Sequence, residues 1–241
     1  MRIRVSDRLK AIVSLVRYDL VADIGSDHAY ALISGVKAGV IKKGVACDIN
    51  AFSVERARRN VYNSGLADVI DIRLGDGFSP VVTGEADCAI LSGMGGSLIC
   101  GILENGKEKV SRLKQLALSP QSDVPAVRRK AHDMGFKIDY EDIAICGGEF
   151  YNLISCLYGE DQPYNELDYV IGKKLMENPS PRFVSFAAKE ADRLEVIKKR
   201  VDALGESDAA NARKLDIAEK LDAYKRVANG DDWRRANCQN Y

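Results

Sequence analysis

The stretch VADIGSDHAYALISGVKAG, residues 21–39, reads as a buried strand followed by a polar cluster and a helix. Apolar residues flank Asp23, Gly25 follows at once, and the letters SDH stand before a helical pattern at 28–38. A glycine at the end of a strand lets the backbone approach a ligand closely, and the N-terminus of the next helix attracts polar groups. The stretch therefore predicts a ligand site where the first strand ends.

Strand and helix patterns alternate around this stretch through the first 160 residues. The predicted strands lie in 20–24, 44–49, 70–77, 86–93, 113–120, 136–145 and 150–159. Most are separated by segments of helical length, which predicts an α/β fold with a parallel sheet covered on both faces. The last two strands are joined by the Gly147–Gly148 turn, which is too short for a crossover, so they are expected to be antiparallel.

After Gly159 the pattern becomes helical. One apolar stripe consists of Leu194, Ile197, Val201 and Leu204, and a second consists of Leu215, Ala218, Leu221 and Tyr224. The polar letters GESD at 205–208 separate the stripes, which predicts an antiparallel helical hairpin of coiled-coil type. The alternative is two helices packed on the sheet domain. The predicted domains are therefore 1–160, with the sheet, and 161–241, with the helices.

Composition restricts the class of protein. The 241 residues are 46% hydrophobic and 29% charged, and 35 basic residues balance 35 acidic ones. This balance argues against broad electrostatic binding of nucleic acid, although local basic groups remain. Six scattered cysteines without a C-x-x-C pair, and an N-terminus without a long apolar run, predict a reduced cytoplasmic protein with no membrane contact. Two histidines are too few for a metal phosphohydrolase site, so no metal is expected.

Four predicted strands end in polar or glycine-rich letters. Asp48 ends the second strand, 25 residues beyond Asp23, where an acid can accept hydrogen bonds from ribose hydroxyls. Asp76 and Gly77 follow the third strand. The fourth strand is followed by Gly93, Met94, Gly95 and Gly96. Because open parallel sheets bind ligands at the carboxyl ends of their strands, these signals together predict a cofactor site. Taken singly, each is equally an ordinary helix cap or turn.

The acid in the first of these segments indicates which cofactor binds. A dinucleotide site needs the glycines of G-x-G-x-x-G to admit a pyrophosphate. Here Gly25 stands alone, and Asp27 would repel a pyrophosphate but attract a sulfonium or an α-amino group. S-adenosyl-L-methionine carries both of these cations, and Asp76 is placed to meet its adenine amino group. An NAD-dependent oxidoreductase is the disfavoured alternative, and a non-catalytic adaptor acting through the helical hairpin is another.

The combination of DIGSDHAY at 23–30 with GMGG at 93–96 resembles the TrmK family of bacterial tRNA methyltransferases. The resemblance extends to the opening RLKAIVSLV, to IDIRLGDG, to SPQ at 119–121 where the family usually has a QPN-like triplet, and to the helical tail. It implies a class I methyltransferase, with a Rossmann-like, mostly parallel sheet whose last strand is antiparallel, and a C-terminal coiled-coil-like domain. It also implies S-adenosyl-L-methionine as cofactor and methylation of adenine N1 at position 22, in the D-arm region of tRNA. Pro120 and Gln121 would then line the pocket for the target base.

This chemistry assigns roles to the strand-end residues. Adenine N1 attacks through an in-plane lone pair, so no proton need leave first, and the methylated base becomes positively charged. A nearby carboxylate stabilises such charge, which makes Asp27, with His28, the catalytic candidate. Alternatively, Asp27 caps the following helix or binds the cofactor. The cofactor-binding candidates are Asp23, Gly25, Asp27, His28, Asp48, Asp76, Gly77, Gly93, Met94 and Gly95.

Local groups of basic residues are candidate contacts for tRNA. They are Arg2, Arg4, Arg8, Lys10 and Arg17, then Arg56, Arg58 and Arg59, and finally Arg128, Arg129 and Lys130. Each group is equally readable as a solvated helix face.

Overall fold

The structure is a computed structural model, which describes residues 6–203 and 207–230. The chain divides into two compact units, Met1–Pro163 and Tyr164–Tyr241. Among the described residues, no helix combines the length and the apolar character that crossing a membrane requires.

The first unit contains one seven-stranded sheet. Its strands are β1 Leu20–Ile24, β2 Lys43–Asp48, β3 Ile70–Leu74, β4 Cys88–Ser92, β5 Gln115–Ser119, β6 Phe136–Cys146 and β7 Glu149–Tyr158. They lie in the order β3-β2-β1-β4-β5-β7-β6. Neighbouring strands from β3 to β5 are parallel, whereas β7 is antiparallel to both β5 and β6. The predicted Rossmann-like sheet with an antiparallel last strand is confirmed.

Helices follow most of the strands. Those of the first unit are α1 Asp7–Ser14, α2 Tyr30–Lys37, α3 Ala51–Asn63, α4 Gly96–Asn105, α5 Lys107–Val110 and α6 Val124–Asp133. The helix α3 begins as the sequence predicts, because the Asn50 side chain accepts hydrogen bonds from the backbone N–H groups of Phe52 and Ser53. It ends before Gly65, which adopts a left-handed φ of 68°.

The core of this unit lies around the central strands. Ile90, Leu91, Leu116 and Leu118 of β4 and β5 are completely buried, as expected for parallel strands covered on both faces. Chain order reverses between β1 and β4, which are neighbours in the sheet. The carboxyl ends of these two strands therefore form the crevice in which open α/β sheets bind ligands.

The second unit is helical. A π-helical turn, Asp168–Gly172, precedes α7 Lys173–Glu177, and the long helices α8 Pro181–Asp202 and α9 Asp208–Asn229 follow. The long helices pack against each other through the rings of Phe186 and Tyr224, 6.2 Å apart, and through an ion pair of 2.6 Å between Glu195 and Lys225. The predicted helical pair is confirmed.

One predicted stripe of this pair is partly wrong. Leu215 is 72% exposed, and Ile217 is buried in its place, together with Leu221 and Tyr224. Six residues along an α-helix turn it through about 240°, so Leu215 points away from the face that Leu221 buries, whereas Ile217 lies one turn from Leu221. Leu204 of the predicted stripe, and Gly205 and Glu206 of the predicted polar interruption, lie outside the described residues.

Candidate active site

The end of β1 is tied to β2 by its backbone. The N–H groups of Gly25 and Ser26 both donate to the carbonyl oxygen of Cys47, at 2.8 and 2.9 Å. These two N–H groups are therefore not available to a ligand. Gly25 contributes to the site because it has no side chain. Its φ of 77° suits glycine, and a Cβ there would lie 2.5 Å from Cε of Met94. The absence of a side chain lets the β4–α4 loop approach β1.

Asp23 is a buried carboxyl group at this position. It is 6% exposed, and its Oδ2 accepts a hydrogen bond of 2.5 Å from Ser26 Oγ. Burial raises its pKa to about 6, the hydrogen bond from Ser26 opposes the rise, and the negative charge of Asp48 adds to it. An acid that ionises near neutral pH inside a cleft is a common feature of functional sites. Asp23 would be stabilised in its charged form by a cationic ligand.

Asp27 is held by three side chains. Its Oδ1 accepts hydrogen bonds from Ser53 Oγ at 2.8 Å and from the guanidinium of Arg56 at 2.9 Å. Its Oδ2 lies 3.1 Å from Nε2 of His28. The residue that caps α2 is Ala29, with a φ of 55° and no side-chain hydrogen bond to the helix. The geometry thus removes the helix cap from the alternatives for Asp27 and leaves a catalytic or a cofactor-binding role.

His28 has a fixed orientation beside this carboxylate. Its ring stacks on that of Tyr30, with centroids 4.8 Å apart and planes at 8°. Its Nδ1 is buried and has no hydrogen-bond partner in the described structure. A proton on Nε2 would be shared with Asp27, which would leave Nδ1 as an acceptor.

The ends of β2 and β3 lie side by side. The carbonyl oxygen of Asp48 accepts from the backbone N–H of Gly75 at 3.0 Å. The carboxylate Oδ1 of Asp48 accepts from the N–H of Asn50 at 2.7 Å, and no hydrogen bond to another described residue engages Oδ2. Asp76 is exposed, and Gly77 follows it with a φ of 50°. This corner therefore offers two carboxylates to a ligand.

The β4–α4 loop and the β5–α6 loop are docked on each other. The backbone N–H of Gln121 donates to the carbonyl oxygen of Met94 at 3.0 Å, and that of Gly96 donates to the carbonyl oxygen of Ser122 at 3.1 Å. A Cβ on Gly96 would overlap the Ser122 oxygen and lie 2.8 Å from the backbone oxygen of Asp123. The GMGG letters thus have a packing reason, because they admit the neighbouring loop.

The predicted target-base residues lie on that neighbouring loop. Pro120 is buried, and Gln121 is exposed beside Met94. The fold therefore brings all the sequence-predicted site residues to the carboxyl ends of β1 to β5. What each of them binds stays a prediction.

Several residues of this edge were not predicted as active-site residues: Ser53 and Ile49 were not singled out, and Arg8 and Arg56 were predicted only as candidate contacts for tRNA. Ser53 and Arg56 hold Asp27, and Ile49 is 71% exposed directly after Asp48. Arg8 of α1 reaches the site as well: its guanidinium lies beside Gly93 and 5.1 Å from the ring centre of Tyr151. An apolar letter after a strand-end acid could have indicated Ile49. The contacts of Arg8 and Arg56 depend on tertiary packing and carry no local signal.

Comparison with known proteins identifies the family. A family model described as a methyltransferase domain matches residues 5–154. The tRNA (adenine(22)-N(1))-methyltransferase of Bacillus subtilis is 27% identical over 231 residues, which cover 93% of this chain and 97% of that protein. The crystal structure of the B. subtilis m1A22 tRNA methyltransferase TrmK superposes with a TM-score of 0.83, at 26% identity over 94% of this chain and all of that one.

A relative from Streptococcus pneumoniae is more similar in sequence. Its protein Sp1610, a proposed tRNA (m1A22) methyltransferase, has been solved in complex with S-adenosyl-L-methionine. That structure is 31% identical, covers 93% of this chain and all of that chain, and has a TM-score of 0.80. The chain belongs to the TrmK family. The family resemblance implied by DIGSDHAY and GMGG is thereby confirmed.

The cofactor that the TrmK family implies fits the residues at this edge. One carboxylate oxygen of Asp48 accepts no hydrogen bond from another described residue and would be available to ribose hydroxyls, and Asp76 is exposed. The buried carboxyl of Asp23 favours a cation, whereas a pyrophosphate would meet Asp23, Asp27 and Asp48 without the glycines that admit it. Within the described residues, no cluster of His, Cys, Asp and Glu side chains is arranged to hold a metal ion.

Proposed function

We propose that this chain is a tRNA methyltransferase that transfers a methyl group from S-adenosyl-L-methionine to N1 of the adenine at position 22. Membership of the TrmK family supports this proposal, as do relatives of that name that align along almost the whole chain. The observation that carries it is the joint presence of all predicted strand-end residues at one sheet edge, in a fold shared with a relative that binds S-adenosyl-L-methionine.

The acids of β1 to β3 are proposed to bind the cofactor. Asp48 accepts from the ribose hydroxyls, Asp76 with Gly77 meets the adenine, and Asp23 faces the cationic methionine end. Gly25 allows the close approach at β1 that such binding requires. Gly93, Met94 and Gly95 complete this binding site on the side of β4.

The remaining residues are proposed to act on the target base. When bound, S-adenosyl-L-methionine supplies an electrophilic methyl group on a sulfonium. Pro120 and Gln121 line the base pocket, and positioning the N1 lone pair there can supply much of the rate. Asp27 and His28 stabilise the positive charge that the base acquires, and no general base is required because N1 carries no proton. His28 is oriented for this by Asp27 and Tyr30.

Two measurements test this function. Titration calorimetry with S-adenosyl-L-methionine and with NAD should show binding of the first alone, whereas NAD binding would favour an oxidoreductase. Mass mapping of nucleosides in tRNA treated with the enzyme should then find 1-methyladenosine at position 22. Cofactor binding without tRNA methylation would overturn the proposed substrate.

The helical region, 161–241, is proposed to assist recognition of tRNA, because every candidate cofactor residue lies before it. A chain that ends after Pro163 should bind cofactor and methylate tRNA poorly. Full tRNA activity of that chain would remove the helices from substrate recognition. A tRNA substrate also supports a cytoplasmic location, which fractionation of cells would test.

A further inference from the structure

The segment around the end of β2 and the helix α3 exposes large apolar side chains. Phe52 is 84% exposed and Tyr62 is 77% exposed, and with Ile49 they are the most exposed large hydrophobic residues described in the first unit. Single exposed hydrophobic residues need no explanation, but a cluster at the edge of a binding site indicates an interaction surface.

Two of these residues share one face of α3 with basic side chains. Phe52, Arg56, Arg59 and Tyr62 recur at spacings of four, three and three residues and are all exposed; together they are called the α3 surface. The opposite face of the helix is buried in the core through Val54, Ala57 and Val61. The α3 surface therefore contributes little to packing, and its aromatic and basic character needs another explanation.

The α3 surface adjoins the candidate active site and carries a positive charge that no described acid balances. Arg56 donates to Asp27, so the surface begins 2.9 Å from a predicted catalytic residue. Arg59 forms no ion pair with any described residue. The neighbouring acid, Glu55, lies 3.8 Å from Arg58, which balances its charge. The surface thus presents a net positive charge beside the carboxyl ends of the strands.

In the other basic groups that the sequence singles out, most of the described side chains form ion pairs within the protein. Arg128 is buried and pairs with Glu141 at 2.7 Å, so the prediction that Arg128 faces tRNA is wrong. Lys10, Arg17 and Lys130 pair with Asp7, Asp139 and Glu104 respectively. Arg2 and Arg4 lie outside the described residues. Among these groups, the one on α3 combines an unpaired cation with exposed aromatic rings.

We propose that the α3 surface binds an unpaired stretch of the tRNA next to the target adenine, with Phe52 stacked on a base and Arg59 on a phosphate. This inference rests on the proposed function. Methylation at N1 requires the Watson–Crick edge of the target base to be unpaired and accessible, so the enzyme must take this base from an unpaired stretch or extrude it from its stack, which leaves a neighbouring base without its stacking partner. Proteins hold such nucleotides by stacking them on aromatic side chains and by pairing phosphates with arginine. A protein partner is disfavoured by the direct link of the surface to Asp27.

The test compares variants of the full-length chain in binding to tRNA. Phe52→Leu removes the ring but keeps an apolar side chain, and should raise the Kd for tRNA about tenfold, as losing one stacked base does. Phe52→Tyr should restore most of the affinity. Arg59→Ala should weaken binding and lower the slope of log K against log salt by about 1, because one phosphate contact is lost. The Kd for S-adenosyl-L-methionine and the melting temperature should stay unchanged in all three.

Matched controls lie in segments that lead into the amino ends of strands, away from the carboxyl ends that carry the candidate site. Val82→Ala changes an exposed apolar residue before β4, and Arg112→Ala removes an exposed arginine before β5 that has no ion pair with a described residue. Both should bind tRNA like the unmodified chain. Suppose that Phe52→Leu and Arg59→Ala bind tRNA like these controls while the unmodified chain methylates tRNA. The proposal that the α3 surface binds tRNA is then overturned, and the proposed function stands. If the unmodified chain binds cofactor but no tRNA, both proposals fail.

Discussion

The candidate site, at the carboxyl ends of the strands, has two halves that differ in residue type: the ends of β1 to β3, called the charged half, and the ends of β4 and β5, called the shaped half. At the ends of β1, β2 and β3 the chain places carboxylates, of which Asp23 is buried and Asp48 half-buried. At the ends of β4 and β5 it places glycines and a proline, and two loops that bond through their backbones. The first half recognises a ligand by charge and by hydrogen bonding. The second half offers shape, because backbone packing fixes where Gln121 and its neighbours stand.

Asp27 stands on the charged half, close to the boundary between the halves, and its removal should have the largest effect. Asp27→Ala should lower turnover on tRNA by about 10²–10³, as for the loss of one group that stabilises transition-state charge, and change the cofactor Kd little. Turnover and Kd are measured on the same folded variant. Ser53→Ala, which removes one donor to Asp27 and keeps its charge, should cost far less. Near-normal turnover at saturating cofactor and tRNA would end the catalytic candidacy of Asp27.

Asp23 gives the charged half a dependence on pH. Because burial raises its pKa to about 6 from an ordinary value of 3.8, the folded chain holds this proton more tightly than the unfolded chain does. Stability therefore falls as pH rises from about 4 to 6, by about 3 kcal/mol at roughly 1.4 kcal/mol for each pH unit. Asp23→Asn lacks this ionisation and can still accept a hydrogen bond from Ser26.

The expected result is that Asp23→Asn becomes more stable than the unmodified chain as pH rises through this window. Urea unfolding at pH 4 and pH 7 measures the free energy of unfolding of both chains. Asp68→Asn, at an exposed carboxylate, is the matched control. A difference between Asp23→Asn and the unmodified chain that does not grow with pH would contradict the buried, late-ionising state of Asp23.

Asp48 tests the charged half through the ligand. Asp48→Ala should raise the Kd for S-adenosyl-L-methionine tenfold or more, since hydrogen bonds to a charged acceptor contribute about 1.5–3 kcal/mol. Asp48→Asn keeps one hydrogen-bond acceptor, so its Kd for S-adenosyl-L-methionine should lie between those of Asp48→Ala and the unmodified chain. Calorimetry on the folded variants provides the Kd values. Unchanged affinity in Asp48→Ala would remove Asp48 from the cofactor site.

The sheet and most of its helices were predictable because local patterns encode them. Alternating strand and helix periods predicted all seven strands, and the Asn50 cap marked the start of α3. Deviations arise where the backbone leaves its regular geometry. The third strand stops at Leu74 because the glycine turn after it begins, and α2 starts only at Tyr30 because Ala29 adopts a left-handed φ. The glycines of the turn were visible in the sequence, although the prediction included them in the strand, whereas the left-handed conformation of Ala29 has no signal there.

The candidate site was predictable as a set of positions but not as a set of contacts. Order along the strands places the acids and glycines at one edge, because parallel strands end together. The partners of these residues come from far along the chain: Arg56 reaches back to Asp27, and Arg8 reaches forward to Gly93. Such pairs depend on how helices pack on the sheet. For that reason the sequence left a helix cap among the alternatives for Asp27, whereas the fold shows an ion pair with Arg56.

Substitution of Gly96 tests the half of the site at the ends of β4 and β5, and its effect on activity should be the smallest of those predicted here. A Cβ at this position meets the backbone oxygens of Ser122 and Asp123, which cannot swing aside as a flexible side chain can. Gly96→Ala should therefore lower the free energy of unfolding by about 1–3 kcal/mol and shift the β5–α6 loop. Since that loop carries Gln121, KM for tRNA should rise more than the Kd for S-adenosyl-L-methionine.

The same helix offers the control for this substitution. Gly101 also lies in α4, but a Cβ there would meet nothing within 4 Å. Gly101→Ala should stabilise the protein by up to about 1 kcal/mol, because alanine is the better helix former and restricts the unfolded chain. Thermal unfolding and steady-state kinetics of both variants give the comparison. Opposite signs in stability, with a higher KM for tRNA in Gly96→Ala alone, are expected if backbone docking shapes this half of the edge. Equal behaviour of the two variants would contradict it and would leave charge as the one organising feature of the site.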